Sequence, residues 1–264
     1  MIEIIDDEVV ENLIENHLFR CSSLGKIMGA GKSIGLTETQ KADLQKLIEK
    51  PKRTAKQEVE MFRLIEKRDC KHDFSLSQTA KTYVQDLVKQ ELYQYEKSFG
   101  SKETSKGNIC EDESIQLYGD YCFQTFKKNK VSKPNKWIKG TCDIDFEEDD
   151  TIIDTKTSWS KETFPELPEH GENSDYEWQL RGYMMLWNRS FAQLVYCLVN
   201  TPFSLLNLMY DRTDIHEVEH LPIERRITVL NFTRCFDKEA EIIEKVKECR
   251  RYGVWYRNKI INQN

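Results

Sequence analysis

Apolar residues recur every three to four positions over Glu38–Glu49 and over Ala80–Lys97, where Tyr83, Leu87, Leu92 and Tyr95 carry the pattern, and both stretches are predicted helices. The polar run Ser98–Lys106 (SFGSKETSK) reads as a loop, and Gly107 then opens a helix reaching about Phe126. Two segments alternate apolar and polar residues, Trp137–Phe146 and Thr151–Ser158, and the acidic turn Glu147–Asp150 joins them as a predicted hairpin. A loop rich in Pro, Glu and Gly (Thr163–Asp175) leads to a helix over Tyr176–Trp187. An apolar strand over Phe191–Asn200 follows, with a weaker strand signal near Leu205–Tyr210, and Pro222–Tyr256 reads as one long or two shorter helices. This order predicts an α/β or α+β protein, with a central mixed β-sheet flanked by helices. No repeat, linker or composition break divides the 264 residues, so one domain is expected.

Composition narrows the setting. Aromatic residues make up 11% of the chain, enough to furnish a folded core. The longest uncharged apolar stretch, around Phe191–Leu198, is far short of the ~20 residues a membrane span needs. The start, MIEIIDDEVVENLIEN, is acidic where a secretory leader is basic, so a soluble cytoplasmic protein is expected. None of the 8 cysteines forms a pair two residues apart, which argues for reduced, mostly buried thiols over a zinc ribbon or redox motif.

With 39 basic and 45 acidic side chains the formal charge is −6, unlike a non-specific nucleic-acid coat. Local charge differs. Lys127, Lys128, Lys130, Lys133, Lys136 and Lys139 form a cluster without an intervening acid, and Lys46, Lys50, Lys52, Arg53 and Lys56 form another. Each is either a solvated face or a localised phosphate contact, and charge leaves both open. The segment Gly25–Ser33 (GKIMGAGKS) imitates a phosphate loop but fails on spacing, because Lys26 stands where the motif requires glycine.

The hairpin holds the chemistry. Alternation places Cys142, Ile144 and Phe146 on one face and Asp143 and Asp145 on the other. A turn centred between Glu148 and Asp149 sets Ile144 opposite Ile153, and Asp143 opposite Asp154. Carboxylates so placed have Cβ atoms about 4.5–5.5 Å apart and repel, so a shared proton or a cation must offset them. A hard divalent metal suits such a pair, and Lys156 projects from the same face as Asp154. The plainer reading is a solvent-exposed Asp143 with Lys156 as its ion-pair partner. Taken singly, Glu111 is a helix N-terminal acid, and Gln179 and Tyr183 at i, i+4 are an ordinary amphipathic face.

In order, however, Glu111, Gly140-x-x-Asp143, Asp154-x-Lys156 and Gln179-x-x-x-Tyr183 resemble the PD-(D/E)XK nuclease superfamily, and within it the RecB-like and lambda-type (YqaJ-like) phage recombination exonucleases. Gly107, Glu111 and Tyr118 match the first motif of that group, with Ser114 where alanine is frequent. The N-terminal FRCSS matches its short serine-containing motif, which engages the DNA terminus. The chain departs from the pattern in carrying Asp154 where glutamate is more usual, and Asp145 competes with Asp143. CRISPR-associated relatives hold an iron–sulfur cluster with C-terminal cysteines, but only Cys235 and Cys249 lie there, so no cluster is expected.

The resemblance implies a restriction-endonuclease-like core over about residues 100–210, with helical N- and C-terminal additions. It implies Mg²⁺, with Mn²⁺ able to substitute, held by Asp143, Asp154, Glu111 and the Thr155 carbonyl. Lys156 would orient or deprotonate the attacking water, and Gln179 and Tyr183 would support it. Arg20, Ser22, Lys136 and Lys139 would contact substrate. The implied activity is a double-strand-specific DNA exonuclease of phage or prophage recombination in a bacterial host cell, partnered by a single-strand annealing protein and built as a ring-shaped oligomer. The alternatives are a RecB-like endonuclease or single-strand exonuclease, and a non-catalytic DNA-binding protein on a nuclease fold.

Overall fold

The computed structural model describes residues 13–31, 36–69, 74–97, 100–207, 209 and 211–262. Its strands are β1 (Phe19–Arg20), β2 (Lys133–Pro134), β3 (Ile138–Gly140), β4 (Ile144–Phe146), β5 (Thr151–Thr157), β6 (Phe191–Cys197) and β7 (Ile227–Thr233). Its helices are α1 (Leu24–Met28), α2 (Glu38–Glu49), α3 (Ala55–Asp69), α4 (Gln78–Leu92), α5 (Lys102–Cys122), α6 (Ser174–Trp187) and α7 (Phe236–Ile261).

The main sheet has the order β4-β5-β6-β7, and a smaller one has the order β1-β3-β2. β5 and β6 are parallel, whereas β4 and β7 run antiparallel to their neighbours. A parallel pair needs a crossover, and α6 supplies it between β5 and β6. β5 is covered on both sides. Ile152, with Ala192, Leu194 and Leu230, faces a core shared with α1, α4, α6 and α7. Ile153, with Ile144, Val195, Cys197 and Ile227, faces α5 through Cys110, Ile115 and Tyr118. Both isoleucines are almost fully buried. Each contributes about 1.5–3 kcal/mol of burial, which holds the chemistry-bearing strand rigid between two layers. The mixed sheet flanked by helices is the architecture the element order predicts.

Several boundaries differ from expectation. Trp137–Phe146 is not one strand: β3 joins the small sheet, β4 pairs with β5, and 141–143 breaks between them. Asn129 causes the break by donating to the carbonyls that a continuing strand would use, Nδ2 to Cys142 O at 2.9 Å and the backbone N–H to Asp143 O at 2.7 Å. Gly140 lies so close to α6 that an added Cβ would sit 2.7 Å from the Tyr183 ring and 2.8 Å from Cys21 Sγ. The predicted register holds for the part that does pair, with Ile144 opposite Ile153.

α5 begins at Lys102, five residues before Gly107, because the Ser101 side chain accepts from Thr104 N–H and caps it. α4 buries Ala80, Val84 and Val88 and ends before Tyr95. Near Leu205–Tyr210 the described residues form a 3₁₀ turn, Phe203–Leu205, and no strand. Pro222–Tyr256 is not wholly helical, since β7 lies inside it and carries the main sheet past residue 210, the expected end of the core. In the Gly25–Ser33 segment, α1 occupies Leu24–Met28, while Lys32 and Ser33 lie outside the described residues. Seven cysteines are free thiols, five of them buried, and Cys70 lies outside the described residues. Among the described residues no helix is long and apolar enough to cross a membrane.

Candidate active site

β4 covers β5 only as far as Ile153, so Asp154, Thr155 and Lys156 run on as an open edge. Asp143, just outside the ladder, turns its carboxylate onto that edge. Its Oδ2 accepts from the Thr155 N–H at 2.7 Å and the Thr155 hydroxyl at 2.9 Å. In a strand the N–H and C=O of one residue point to the same side, so the Thr155 carbonyl faces this opening too. Burial, and then the Asp154 charge, push Asp143 up to about 7 against the pull of Lys156 and the Thr155 bonds.

Asp154 is buried at 1% exposure, and its Oδ1 accepts from Gln179 Nε2 at 3.1 Å. Its Oδ2 has no well-directed hydrogen bond among the described residues, although Lys156 Nζ forms an ion pair with it at 2.6 Å. The Lys156 ammonium also lies 3.5 Å from Gln179 Oε1 and 4.6 Å from the centre of the Tyr176 ring. Burial alone would lower Lys156, but the adjacent Asp154 carboxylate outweighs it and keeps the ammonium above its ordinary value. Gln179 Nε2 donates onward to Tyr183 Oη at 2.9 Å. α6 presents Tyr176, Gln179 and Tyr183 on one face, its first turn capped by the Asn173 side chain. The outcome is a chain of contacts, Tyr183–Gln179–Asp154–Lys156, whose last three members line a cleft of about 500 Å³.

Glu111 lines the same cleft, but in the third turn of α5, so a helix N-terminal role is excluded. It is ion-paired to Lys128 at 3.1 Å, and Lys128 also meets Asp112 at 2.7 Å. Among the described residues no three His, Cys, Asp or Glu side chains group to hold a metal. The expected four-ligand set is thus assembled only in part: Asp143, Asp154 and Thr155 converge, while Glu111 is turned to Lys128. What converges suits a hard cation, since two carboxylates share the edge and the buried Asp154 Oδ2 lacks a directed donor. Tyr176, Ser158, Trp159 and Lys106 also belong to this neighbourhood, and no motif or spacing in the sequence singles them out.

A second cleft, about 420 Å³, is lined by Tyr183 together with Arg20, Ser22 and Lys139. Arg20 and Lys139 are cross-strand neighbours in β1 and β3. Like charges so placed repel, and an anion between them relieves the repulsion. Ser22 is exposed and caps no helix. Lys136 is not gathered here; its ammonium lies 5.1 Å over the Trp137 ring. In the other basic cluster, Arg53 is a structural cap, donating to the Leu47 and Lys50 carbonyls at the end of α2. A larger cleft, about 770 Å³, runs along β7 beside Glu172 and Glu177, and Arg181 ion-pairs with Glu177 at 2.9 Å, but its lining holds no carboxylate–lysine pair.

Lys127, Lys130 and Lys139 are exposed, unlike Lys128. If they bind phosphate, replacing the three with glutamine lowers the slope of log affinity for duplex DNA against log salt by about one unit for each phosphate no longer neutralised. An unchanged slope would make this cluster a solvated face.

No protein-family model and no curated protein sequence matches the chain. Among solved structures, a phage-related exonuclease from Haemophilus somnus 129PT is similar, with a TM-score of 0.73 and 30% identity over 93% of this chain and 97% of that one. An alkaline exonuclease from Laribacter hongkongensis has a TM-score of 0.53 at 11% identity, over 98% of this chain and 100% of that one. The same enzyme in complex with dAMP gives 0.51 at 13%, with the same coverage. At those lower identities the likeness is one of fold.

Proposed function

Because this chain belongs to the PD-(D/E)XK nuclease superfamily, in its lambda-type phage exonuclease branch, we propose that it hydrolyses DNA phosphodiester bonds from duplex ends with a divalent cation. The observation carrying this reading is the half-buried Asp143 beside the buried Asp154, with Lys156 2.6 Å from Asp154, together with a second cleft whose Arg20 and Lys139 suit a terminal phosphate.

Asp143, Asp154 and the Thr155 carbonyl would hold Mg²⁺, or Mn²⁺ in its place, and Glu111 would join on leaving Lys128. When bound, the cation polarises the scissile phosphate and lowers the pKa of a bound water. Lys156, 2.6 Å from Asp154, would orient or deprotonate the attacking water, or donate to charge developing on the phosphate. Gln179 fixes Asp154 directly and is fixed in turn by Tyr183. Arg20, Ser22 and Lys139 would grip the terminal phosphate in the second cleft, which Tyr183 also lines while its hydroxyl accepts from the Gln179 that holds Asp154.

Such an activity fits phage or prophage recombination in a bacterial cytoplasm, alongside a single-strand annealing protein and in a ring-shaped oligomer. Digestion of a linear duplex with open or hairpin-capped ends tests it. Open ends should be degraded and capped ends spared. Cleavage of capped duplex would favour an endonuclease, and faster loss of single strands a single-strand exonuclease.

A further inference from the structure

The carbonyl of Trp159, just past the end of β5, is held by three groups from separate parts of the chain. Lys106 Nζ of α5 reaches it at 3.0 Å, Thr201 Oγ1 at 2.9 Å and His216 Nδ1 at 3.2 Å. Lys106 is fully buried and also donates to the carbonyls of Ser158 and Val199, each at 2.8 Å. Burial draws it down to about 8. Taking an ammonium out of water is costly even after relaxation. Among the described residues no carboxylate forms an ion pair with it, and three charge-assisted bonds to carbonyls offset the cost. The segment so anchored is the wall of the active-site cleft.

Trp159 itself is half-buried, lines that cleft, and packs edge-on against His216 with ring centres 5.1 Å apart. Only two residues, Thr157 and Ser158, separate it from Lys156, at most about 10 Å of chain. The other cleft aromatics are engaged: Tyr176 lies under the Lys156 ammonium, and the Tyr196 hydroxyl donates to Gly171 O at 2.8 Å. The buried Ser158 Oγ, without a hydrogen-bond partner among the described residues, lies in the same wall.

We propose that Trp159 is a stacking platform for a nucleobase next to the scissile phosphate, mounted in place by Lys106, Thr201 and His216. The proposal rests on the nuclease reading and adds to it how the substrate strand is seated. An indole fixed at its backbone and braced at its ring loses little freedom on stacking, and every base offers it a face whatever the sequence. Lys106 acts through Trp159 and is a positioning residue.

The test is binding of end-labelled duplex by anisotropy in Ca²⁺, with an abasic site at each of the first three terminal nucleotides in turn. Wild type should bind one of these abasic duplexes about tenfold more weakly than intact DNA, the weight of one base–aromatic stack. Trp159→Ala should lose the same factor on intact DNA and nothing further on that abasic duplex, and Trp159→Phe should recover most of it. Lys106→Met should reproduce the loss, and in turnover the effect should fall on KM more than on kcat. Equal loss on intact and abasic DNA, or no abasic penalty in the wild type at any position, overturns the proposal. The wild-type arm stands even if a variant fails to fold. A wild type that cleaves duplex without an abasic penalty removes the stacking role alone; one that neither cleaves nor binds DNA removes the nuclease reading as well.

Discussion

Lys156→Ala is expected to reduce hydrolysis of linear duplex by about 10²–10⁴-fold, the weight of one positioned proton donor or charge stabiliser. The apolar faces of β5 are carried by Ile152 and Ile153, so the substitution removes little packing. It does remove the cation 2.6 Å from a buried carboxylate. Without metal the variant should therefore melt below wild type, because Asp154 is left uncompensated beside Asp143, and Mg²⁺ should restore much of the difference. Cleavage rate and thermal midpoint, each with and without Mg²⁺, are the readouts. Near-wild-type cleavage would remove Lys156 from the mechanism.

The second large effect concerns which carboxylates hold the cation. Saturating Mg²⁺ or Mn²⁺ should raise the thermal midpoint by mass action, about 2.7 kcal/mol at a hundred times Kd, which is several degrees. Ca²⁺ should bind as well yet support little cleavage, because its looser coordination positions water and phosphate poorly. Asp143→Asn should abolish most of the metal shift. Asp145→Asn should not, since Asp145 stands opposite Ile152 with its carboxylate tied to Arg189 at 2.7 Å.

Acidity adds a sign. Asp143 is raised from the ordinary carboxylate value to about 7, so the stability its protonated form contributes is full below about pH 4 and is lost as pH rises through about 7. Metal-free wild type should lose stability over that window, and Asp143→Asn should lose less. The metal-induced shift should grow over the same window, because the cation replaces that proton. If Asp145→Asn removes the shift and Asp143→Asn does not, the assignment of the pair is wrong.

Much of this site was legible because its parts are periodic. Alternation and turn length fixed the Ile144–Ile153 register, and i, i+4 spacing put Gln179 and Tyr183 on one face of α6. The break at 141–143 was not legible, since it depends on Asn129, fourteen residues upstream of Asp143, capturing two carbonyls. Nor could sequence show that Glu111 would turn to Lys128, or that Lys106 would be buried against carbonyls from three different residues. The signal for β7 is present in ITVLNFT, which is rich in β-branched and aromatic residues, but its helix-like surroundings mask it. Ser101 likewise offered a capping residue for α5 inside what reads as a polar loop.

The central claim is that Asp143, Asp154 and Lys156 form a cation-dependent nuclease centre acting on DNA ends. Its most direct test is incubation of purified protein with end-labelled linear duplex and Mg²⁺, in parallel with the same mixture containing excess EDTA. The expected result is progressive loss of the labelled duplex with Mg²⁺, none with EDTA, and a loss slowed about 10²–10⁴-fold in Lys156→Ala with Mg²⁺. Undiminished hydrolysis in EDTA, or intact duplex in every lane despite a folded protein, would contradict it.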